Sequence, residues 1–238
     1  YRAEVKTIEK PWGEWFSLDE LEAALIEHKP AILAMVHAET STGVCQPMEG
    51  IGDLCRKHDC LLLLDTVTSL GGVPLYIDEW KVDLAYSCSQ KGLSCPPGLG
   101  PFTMGPRAEA KMTARQGKVP NWYLDVSLLN QYWGSDRVYH HTAPVNMNFG
   151  MREALRLLAE EGLDQAWARH RSNAEMLWNG LESLGLSMHV PAERRLPTLT
   201  TVRIPEGVDG KAFSQHLLNN HGIEVGGGLG SLAGKIWR

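Results

Sequence analysis

The stretch Leu61-Leu62-Leu63-Leu64-Asp65 decides how this chain folds, because four apolar residues in a row end at an acid. Such a run, with a turn-forming carboxylate at its end, is typical of a buried β-strand whose C-terminal tip carries the acid. A shorter apolar segment, Leu84-Ala85-Tyr86, follows it and leads into Ser87-Cys88-Ser89-Gln90-Lys91-Gly92. Open α/β sheets bind their ligands at the carboxyl ends of strands. If both runs belong to one parallel sheet, Asp65 and Lys91 lie at the same edge.

A carboxylate and a lysine at one sheet edge suit pyridoxal 5'-phosphate (PLP). A lysine amine condenses with the aldehyde of PLP, and a carboxylate keeps the ring nitrogen protonated so that the ring withdraws electrons from a substrate carbanion. Spacing alone leaves an alternative open. Asp65 would then form a turn, and Lys91 would be a solvated surface charge.

The flanking patterns extend the sheet in both directions. Ser17 and Glu20 form a capping box that starts a helix, which should end before Lys29. Residues 31–36 read as a buried strand, and residues 49–58 as the helix that leads to the Leu61 strand, so a parallel β-α-β arrangement is predicted. Further strands are predicted at residues 101–104, 200–204 and 223–225, and further helices at residues 107–112, 145–161, 163–184 and 209–220.

Asp65 and Lys91 each belong to a longer motif, and two more motifs occur elsewhere in the chain. They occur in this order: His37-Ala38-Glu39-Thr40-Ser41-Thr42-Gly43-Val44, Asp65-Thr66-Val67-Thr68-Ser69-Leu70-Gly71-Gly72, Ser87-Cys88-Ser89-Gln90-Lys91-Gly92 and Tyr139-His140-His141-Thr142-Ala143-Pro144. Together they make the chain resemble the alanine–glyoxylate aminotransferase family, in the class V branch of fold type I PLP enzymes. The resemblance runs over nearly the whole chain.

The resemblance implies a role for each matching residue. Lys91 would bind PLP covalently and act as the base, and Asp65 would pair with the pyridine nitrogen. The residues it assigns to PLP are Thr40, Asp65, Val67, Gln90, Lys91, Tyr139 and Thr142. Tyr139 and Thr142 would reach the cofactor phosphate of a neighbouring subunit, which implies an obligate homodimer. Arg238 would grip the substrate carboxylate.

The implied fold is α/β: a mostly parallel sheet flanked by helices in the large PLP-binding domain, of which residues 1–162 form part, and a smaller α+β C-terminal domain, of which residues 163–238 form part. In the family, the large domain begins upstream of Tyr1 with a segment that cradles the phosphate. Further strands and a helix follow the position of Arg238. The chain is therefore expected to be an internal excerpt, and its binding of PLP without those segments is left open.

The implied reaction moves an amino group from alanine or serine to glyoxylate. Alternatives are a transaminase of the same branch that acts on 3-hydroxykynurenine or on serine with pyruvate, and a non-catalytic remnant that serves in dimerisation or binding. A cysteine desulfurase is disfavoured because that group places His before the lysine, where Gln90 stands. An S-x-x-K acyl-transfer site fails because residue 88 is Cys88.

Amino-acid composition narrows the possible partners and the cellular location. The 238 residues carry a net charge of −5 with mixed signs, which predicts neither a nucleic-acid nor a membrane partner. The five cysteines form no C-x-x-C pair, so reduced thiols are expected, as in a cytoplasmic protein, with a peroxisomal or mitochondrial location as the alternatives. No metal site is predicted, since the adjacent His140 and His141 project in different directions.

Overall fold

The computed structural model describes residues 3–238 as helices packed around a four-stranded sheet, with a second, two-stranded sheet nearer the C-terminus. The helices are α1 (Leu18–His28), α2 (Ile51–Lys57), α3 (Pro106–Thr113), α4 (Val126–Trp133), α5 (Val145–Glu161), α6 (Leu163–Ser183) and α7 (Gly210–His221). The strands are β1 (Ile32–Val36), β2 (Leu61–Asp65), β3 (Leu84–Tyr86), β4 (Phe102–Met104), β5 (Val202–Arg203) and β6 (Ile236–Trp237). The predicted helices agree with these bounds to within about two residues, and α4 was not predicted.

The larger sheet has the order β1-β2-β3-β4. Strands β1, β2 and β3 run parallel, and β4 pairs antiparallel with β3. This confirms the parallel β-α-β arrangement that the apolar runs predicted. The register places Asp65 opposite Val36 on one side and Tyr86 on the other. The tips of all three parallel strands therefore lie in one row.

Helix α1 begins at the predicted capping box. The backbone amide of Glu20 donates to Ser17 Oγ at 3.3 Å, and the amide of Ser17 donates to Glu20 Oε2 at 2.9 Å. The helix ends where Lys29 adopts a left-handed conformation before Pro30. Leu21 and Leu25 lie one turn apart on the buried face, so α1 packs its apolar stripe onto the core.

The main core lies between the sheet, α1 and α2. Its buried members are Leu21, Leu25, Met48, Ile51, Cys55, Cys60, Leu62, Leu64, Val82 and Ala85. Strand β2 is central to it, since both of its neighbours are strands and most of its side chains are buried. The predicted buried character of the Leu61 run is thereby confirmed.

The prediction that residues 31–36 form a buried strand is wrong in one respect. The strand exists, but Ile32 and Val36 are 47% and 40% exposed. The reason is that β1 is an edge strand within residues 3–238, with β2 as its one paired neighbour. An apolar run indicates a strand, but it does not say how many neighbours cover it.

The predicted strand at residues 223–225 is also wrong. That segment is irregular, and the backbone pairing begins just after it, where Gly226 and Arg238 exchange two hydrogen bonds of 2.9 and 2.7 Å. Strand β6 follows instead and pairs antiparallel with β5, a shortened form of the predicted strand at residues 200–204. β-propensity marks an extended segment, but a strand also requires a hydrogen-bonding partner in register.

The C-terminal part of the chain contacts the loop between β1 and α2. Leu196 donates its amide to the Gly43 carbonyl at 2.8 Å, and Thr201 Oγ1 donates to the Thr42 carbonyl at 2.7 Å. These bonds hold the loop after β1 against the segment that leads to β5. Among residues 3–238, none of the helices combines the length and apolar character that a bilayer crossing requires.

Candidate active site

Three loops leave the carboxyl ends of β1, β2 and β3 and meet at one edge of the sheet. Backbone hydrogen bonds join them: His37 donates its amide to the Asp65 carbonyl at 3.0 Å, and Thr66 donates its amide to the Tyr86 carbonyl at 2.8 Å. The side chain of Ser87 adds a bond to the Thr66 carbonyl at 3.0 Å. These bonds fasten the three loops to one another at the edge where the predicted residues lie.

Asp65 lies at the tip of β2, and hydrogen bonds hold both of its carboxylate oxygens. The backbone amide of Val67 donates to Oδ1 at 2.8 Å, and the Tyr86 hydroxyl donates to Oδ2 at 2.5 Å. In return, the bond to Asp65, followed by burial, raises the pKa of Tyr86 to about 12. Sequence reasoning missed Tyr86, although the register of two parallel strands would have placed it beside Asp65.

Lys91 lies on an exposed loop that packs against the loop after Asp65. A β-carbon at Gly92 would be 2.3 Å from the Leu70 carbonyl oxygen, so only glycine allows this close approach. Ser89 is fully buried and fastens the base of the loop by donating to the Pro96 carbonyl at 2.7 Å. Lys91 and its neighbour Gln90 both remain exposed above this anchored base.

Thr40 and Arg238 come together although almost the whole chain separates them. Arg238 Nη1 donates to the Thr40 carbonyl at 3.4 Å, while its Nε donates to the Gly227 carbonyl at 3.0 Å. The Thr40 hydroxyl contacts the Thr68 hydroxyl on the loop after β2. The guanidinium predicted to bind a carboxylate therefore lies beside the loop predicted to contact the cofactor.

Within residues 3–238, no hydrogen bond links Tyr139 or Thr142 to this cluster. Their hydroxyls are 2.9 Å from each other, and Tyr139 is 70% exposed. Of the two residues between them, His140 is buried, stacks on the Trp122 ring at 4.0 Å and donates from Nε2 to the Trp122 carbonyl at 3.1 Å. The segment is thus pinned by His140 and presents its hydroxyls outward.

Buried His37 and half-buried Cys45 form a pair in the loop after β1. Cys45 Sγ is 3.5 Å from His37 Nε2, an arrangement that can resemble a nucleophile and its base. Burial lowers the pKa of His37 to about 4 and raises the pKa of Cys45 to about 11. Both groups are therefore neutral near pH 7, so the pair has a structural role rather than that of an activated thiol.

The part of the chain that the structure describes contains no set of ligands for a metal ion. Within residues 3–238, no group of three or more His, Cys, Asp or Glu side chains could hold an ion. The adjacent His140 and His141 instead place their Nδ1 atoms 2.9 Å apart, so they share a hydrogen bond with each other.

The residues at the sheet edge fit PLP. The Asp65 carboxylate has about four acceptor positions, of which Val67 and Tyr86 use two, so an oxygen can still accept from a pyridinium N–H. The Lys91 amine is exposed on the adjoining loop. Of the predicted residues, the structure gathers Thr40, Asp65, Val67, Gln90, Lys91 and Arg238 at one edge. Within residues 3–238, the hydroxyls of Tyr139 and Thr142 make no hydrogen bond to this group and instead contact each other.

Comparisons with known proteins show which sequences this chain resembles. The family model described as aminotransferase class V matches residues 1–234. The chain is 44% identical to alanine–glyoxylate aminotransferase from Oryctolagus cuniculus over 99% of this chain and 61% of that protein. It is 38% identical to (S)-ureidoglycine–glyoxylate transaminase from Bacillus subtilis over 100% of this chain and 62% of that protein.

A solved structure gives the same result for the fold. The crystal structure of alanine–glyoxylate aminotransferase from Nostoc sp. superposes with a TM-score of 0.95 at 66% identity, covering 99% of this chain and 62% of that one. The chain thus spans about three fifths of the length of the relatives it matches.

Proposed function

Because the chain belongs to the class V aminotransferase family, we propose that it forms part of a PLP-dependent aminotransferase that moves an amino group from alanine or serine to glyoxylate. Its fold is that of the fold type I PLP enzymes. One observation carries the proposal. The Asp65 carboxylate is fixed at the tip of β2, and the loop bearing Lys91 packs against the loop that follows it.

The chain's own residues divide the work. When bound, PLP supplies an aldehyde and a ring that withdraws electrons. Lys91 would hold the cofactor through its aldehyde, and the Lys91 amine would serve as the base at the substrate Cα. Asp65 would accept a hydrogen bond from the ring nitrogen, and Val67 would pack on the ring face. Thr40 and Gln90 supply polar contacts from either side.

The substrates are proposed from the names of relatives and from Arg238. Both named relatives use glyoxylate, whereas their amino donors differ, so the acceptor is better supported than the donor. The Arg238 guanidinium lies beside Thr40 and offers N–H groups suited to a carboxylate. Amino acids and 2-oxo acids share that carboxylate, which explains how one arginine serves both halves of the reaction.

A homodimer belongs to the same proposal. Tyr139 and Thr142 hold their hydroxyls outward on an exposed segment, which suits contact with the cofactor phosphate of a second subunit. The large apolar side chains of Trp122, Tyr123 and Trp133 are exposed near them. Aromatic residues of this kind are enriched at subunit interfaces.

The domain division and the location are proposed with it. Residues 1–162 contain the whole four-stranded sheet, and residues 163–238 contain the two-stranded sheet, which supports a large domain and a small one. The five cysteines are free thiols. Free thiols suit a reducing compartment, so a cytoplasmic location is proposed.

Covalent trapping tests the proposal directly. The purified chain is incubated with PLP, reduced with borohydride and mapped by peptide mass spectrometry. A reduced adduct is expected at Lys91. The adduct should disappear in Lys91→Ala and persist in Lys57→Ala, a matched control that removes an exposed lysine from α2. A chain extended at both ends toward the length of its relatives serves as a second sample.

Donor and acceptor assays then separate the candidate functions. Turnover of alanine or serine with glyoxylate supports the proposal, whereas turnover of 3-hydroxykynurenine, or of serine with pyruvate, indicates another transaminase of the branch. An adduct at Lys91 without turnover of any pair indicates a binding remnant. If neither sample forms an adduct, the aminotransferase assignment is wrong.

A further inference from the structure

Tyr86 contacts the same carboxylate on which the proposed cofactor chemistry depends. Strands β2 and β3 run parallel with Asp65 directly opposite Tyr86, so the two side chains lie on the same face of the sheet. The Tyr86 hydroxyl donates to Asp65 Oδ2 at 2.5 Å, while the Val67 amide donates to Oδ1 at 2.8 Å. A carboxylate held at both oxygens cannot rotate about its Cβ–Cγ bond without losing a hydrogen bond.

Little else explains the presence of this hydroxyl. Tyr86 is 40% exposed, and its ring is not part of the buried core cluster, so it is not simply a core residue. Its backbone is nevertheless fixed, because its carbonyl accepts hydrogen bonds of 2.8 Å from both the amide and the side chain of Thr66. The fixed backbone therefore places the Tyr86 hydroxyl beside the Asp65 carboxylate.

The hydrogen bond also sets how the carboxylate is presented. A phenol that donates to one carboxylate oxygen fixes the orientation of the group, and a carboxylate that serves a pyridine cofactor must turn an oxygen toward the ring nitrogen. Val67 and Tyr86 use two of about four acceptor positions and leave the rest for the ring. Tyr86 therefore orients the Asp65 carboxylate without occupying the lone pair that the ring nitrogen would use.

We propose that Tyr86 is a positioning residue, whose hydroxyl keeps the Asp65 carboxylate turned toward the ring nitrogen of the cofactor. The inference rests on the proposed function, because it assigns Tyr86 a part in holding the group that Asp65 is proposed to meet. Tyr86 does not touch the reacting atoms, so its effect must appear through Asp65.

Tyr86→Phe tests the inference, because it removes one oxygen and leaves the ring. Hydrogen bonds to charged groups contribute enough for the loss to weaken PLP binding about tenfold, measured as the PLP dissociation constant by visible absorbance. The pH profile of that absorbance should shift, whereas a purely structural role would leave it unchanged. Tyr76→Phe is the matched control, since Tyr76 is 41% exposed and packs on Trp80.

A measurement without cofactor tests the contact itself. Because the bond to Asp65 raises the pKa of Tyr86 to about 12, Asp65→Asn should return Tyr86 toward the ordinary value of 10.0. The ultraviolet titration of tyrosinate gives this result when the curve of Tyr86→Phe is subtracted. An unchanged titration would contradict the contact and overturn the inference.

The outcomes distinguish the inference from the proposed function. A parent chain and an extended chain that both fail to bind PLP overturn both. PLP binding at Lys91 in the parent chain, with affinities within twofold in Tyr86→Phe and Tyr76→Phe, overturns the role of Tyr86 alone. A selective loss in Tyr86→Phe with an unchanged urea midpoint supports it.

Discussion

The buried ion pair between Asp83 and Arg107 predicts a large loss of stability when the arginine is replaced. Asp83 is only 3% exposed and precedes β3. Its carboxylate accepts the Leu62 amide at 2.9 Å and two contacts from Arg107 Nη1 at 2.9 and 3.2 Å. Arg107, from α3, also donates to the Cys60 carbonyl at 3.2 Å. The pair thus ties α3 to the strands that deliver Asp65 and Lys91.

Arg107→Met removes the charge and keeps most of the apolar stem. The Asp83 carboxylate then stays buried with the Leu62 amide as its remaining strong donor. Removing one partner of a buried pair costs about 3 to 5 kcal/mol. The Arg107 side chain is 29% exposed, so water can partly replace it, and the expected loss is at the lower end, about 3 kcal/mol.

Urea unfolding followed by circular dichroism measures this loss as a change in the free energy of unfolding. The matched control is Arg156→Met, which breaks ion pairs with Glu153 and Glu160 on the exposed face of α5. Exposed pairs contribute little, so the control should lose only a small fraction of what Arg107→Met loses. Equal losses in the two variants would show that the burial of Asp83 does not determine the change in the free energy of unfolding. That result would refute the reasoning.

Two further predictions concern buried positions. Burial lowers the pKa of His37 to about 4, so between pH 6.5 and pH 4 the unfolded chain binds a proton that the folded chain does not, and stability falls as the pH falls. The parent chain should lose about 2 kcal/mol more than His37→Gln between pH 7 and pH 5 in urea titrations, and equal slopes would contradict the assignment. A β-carbon at Gly52 would lie 2.0 Å from the Trp80 carbonyl oxygen, whereas one at Gly180 would meet nothing within 4 Å. Thermal unfolding should therefore show Gly52→Ala destabilised by about 1 to 3 kcal/mol and Gly180→Ala stabilised by about 0.5 to 1 kcal/mol, and a shift of the same sign in both would exclude a steric cause.

The sequence indicated the elements whose causes are local. The four leucines before Asp65 predicted β2 with its observed bounds, and the capping box at Ser17 predicted where α1 begins. Each of these signals is complete within a few residues. The failures at residues 31–36 and 223–225 have the opposite character, because exposure of β1 and pairing of the last strand both depend on which distant segment lies alongside.

The same division applies to the site. The placement of Asp65 and Lys91 at one edge could be predicted because each follows an apolar run, and a parallel sheet brings such tips together. Tyr86, Asp83 and Arg107 could not, since their importance comes from hydrogen bonds across the sheet and to a helix. A tyrosine at a strand end has no distinctive local pattern until the register is known.

The placement of Lys91 depends on glycine more than on the lysine itself. The Gly92 backbone lies so close to the Leu70 carbonyl that any side chain there would push the two loops apart. Gly71 faces the same contact from the other loop, where a β-carbon would be 2.9 Å from the Gly92 carbonyl oxygen. Because the loop that carries Gly71 begins at Asp65, the two glycines set how closely the backbone of the Lys91 loop approaches the loop that follows Asp65. The backbone approach on which the proposed chemistry depends is therefore set by glycine packing, and it needs no direct contact between the side chains of Asp65 and Lys91.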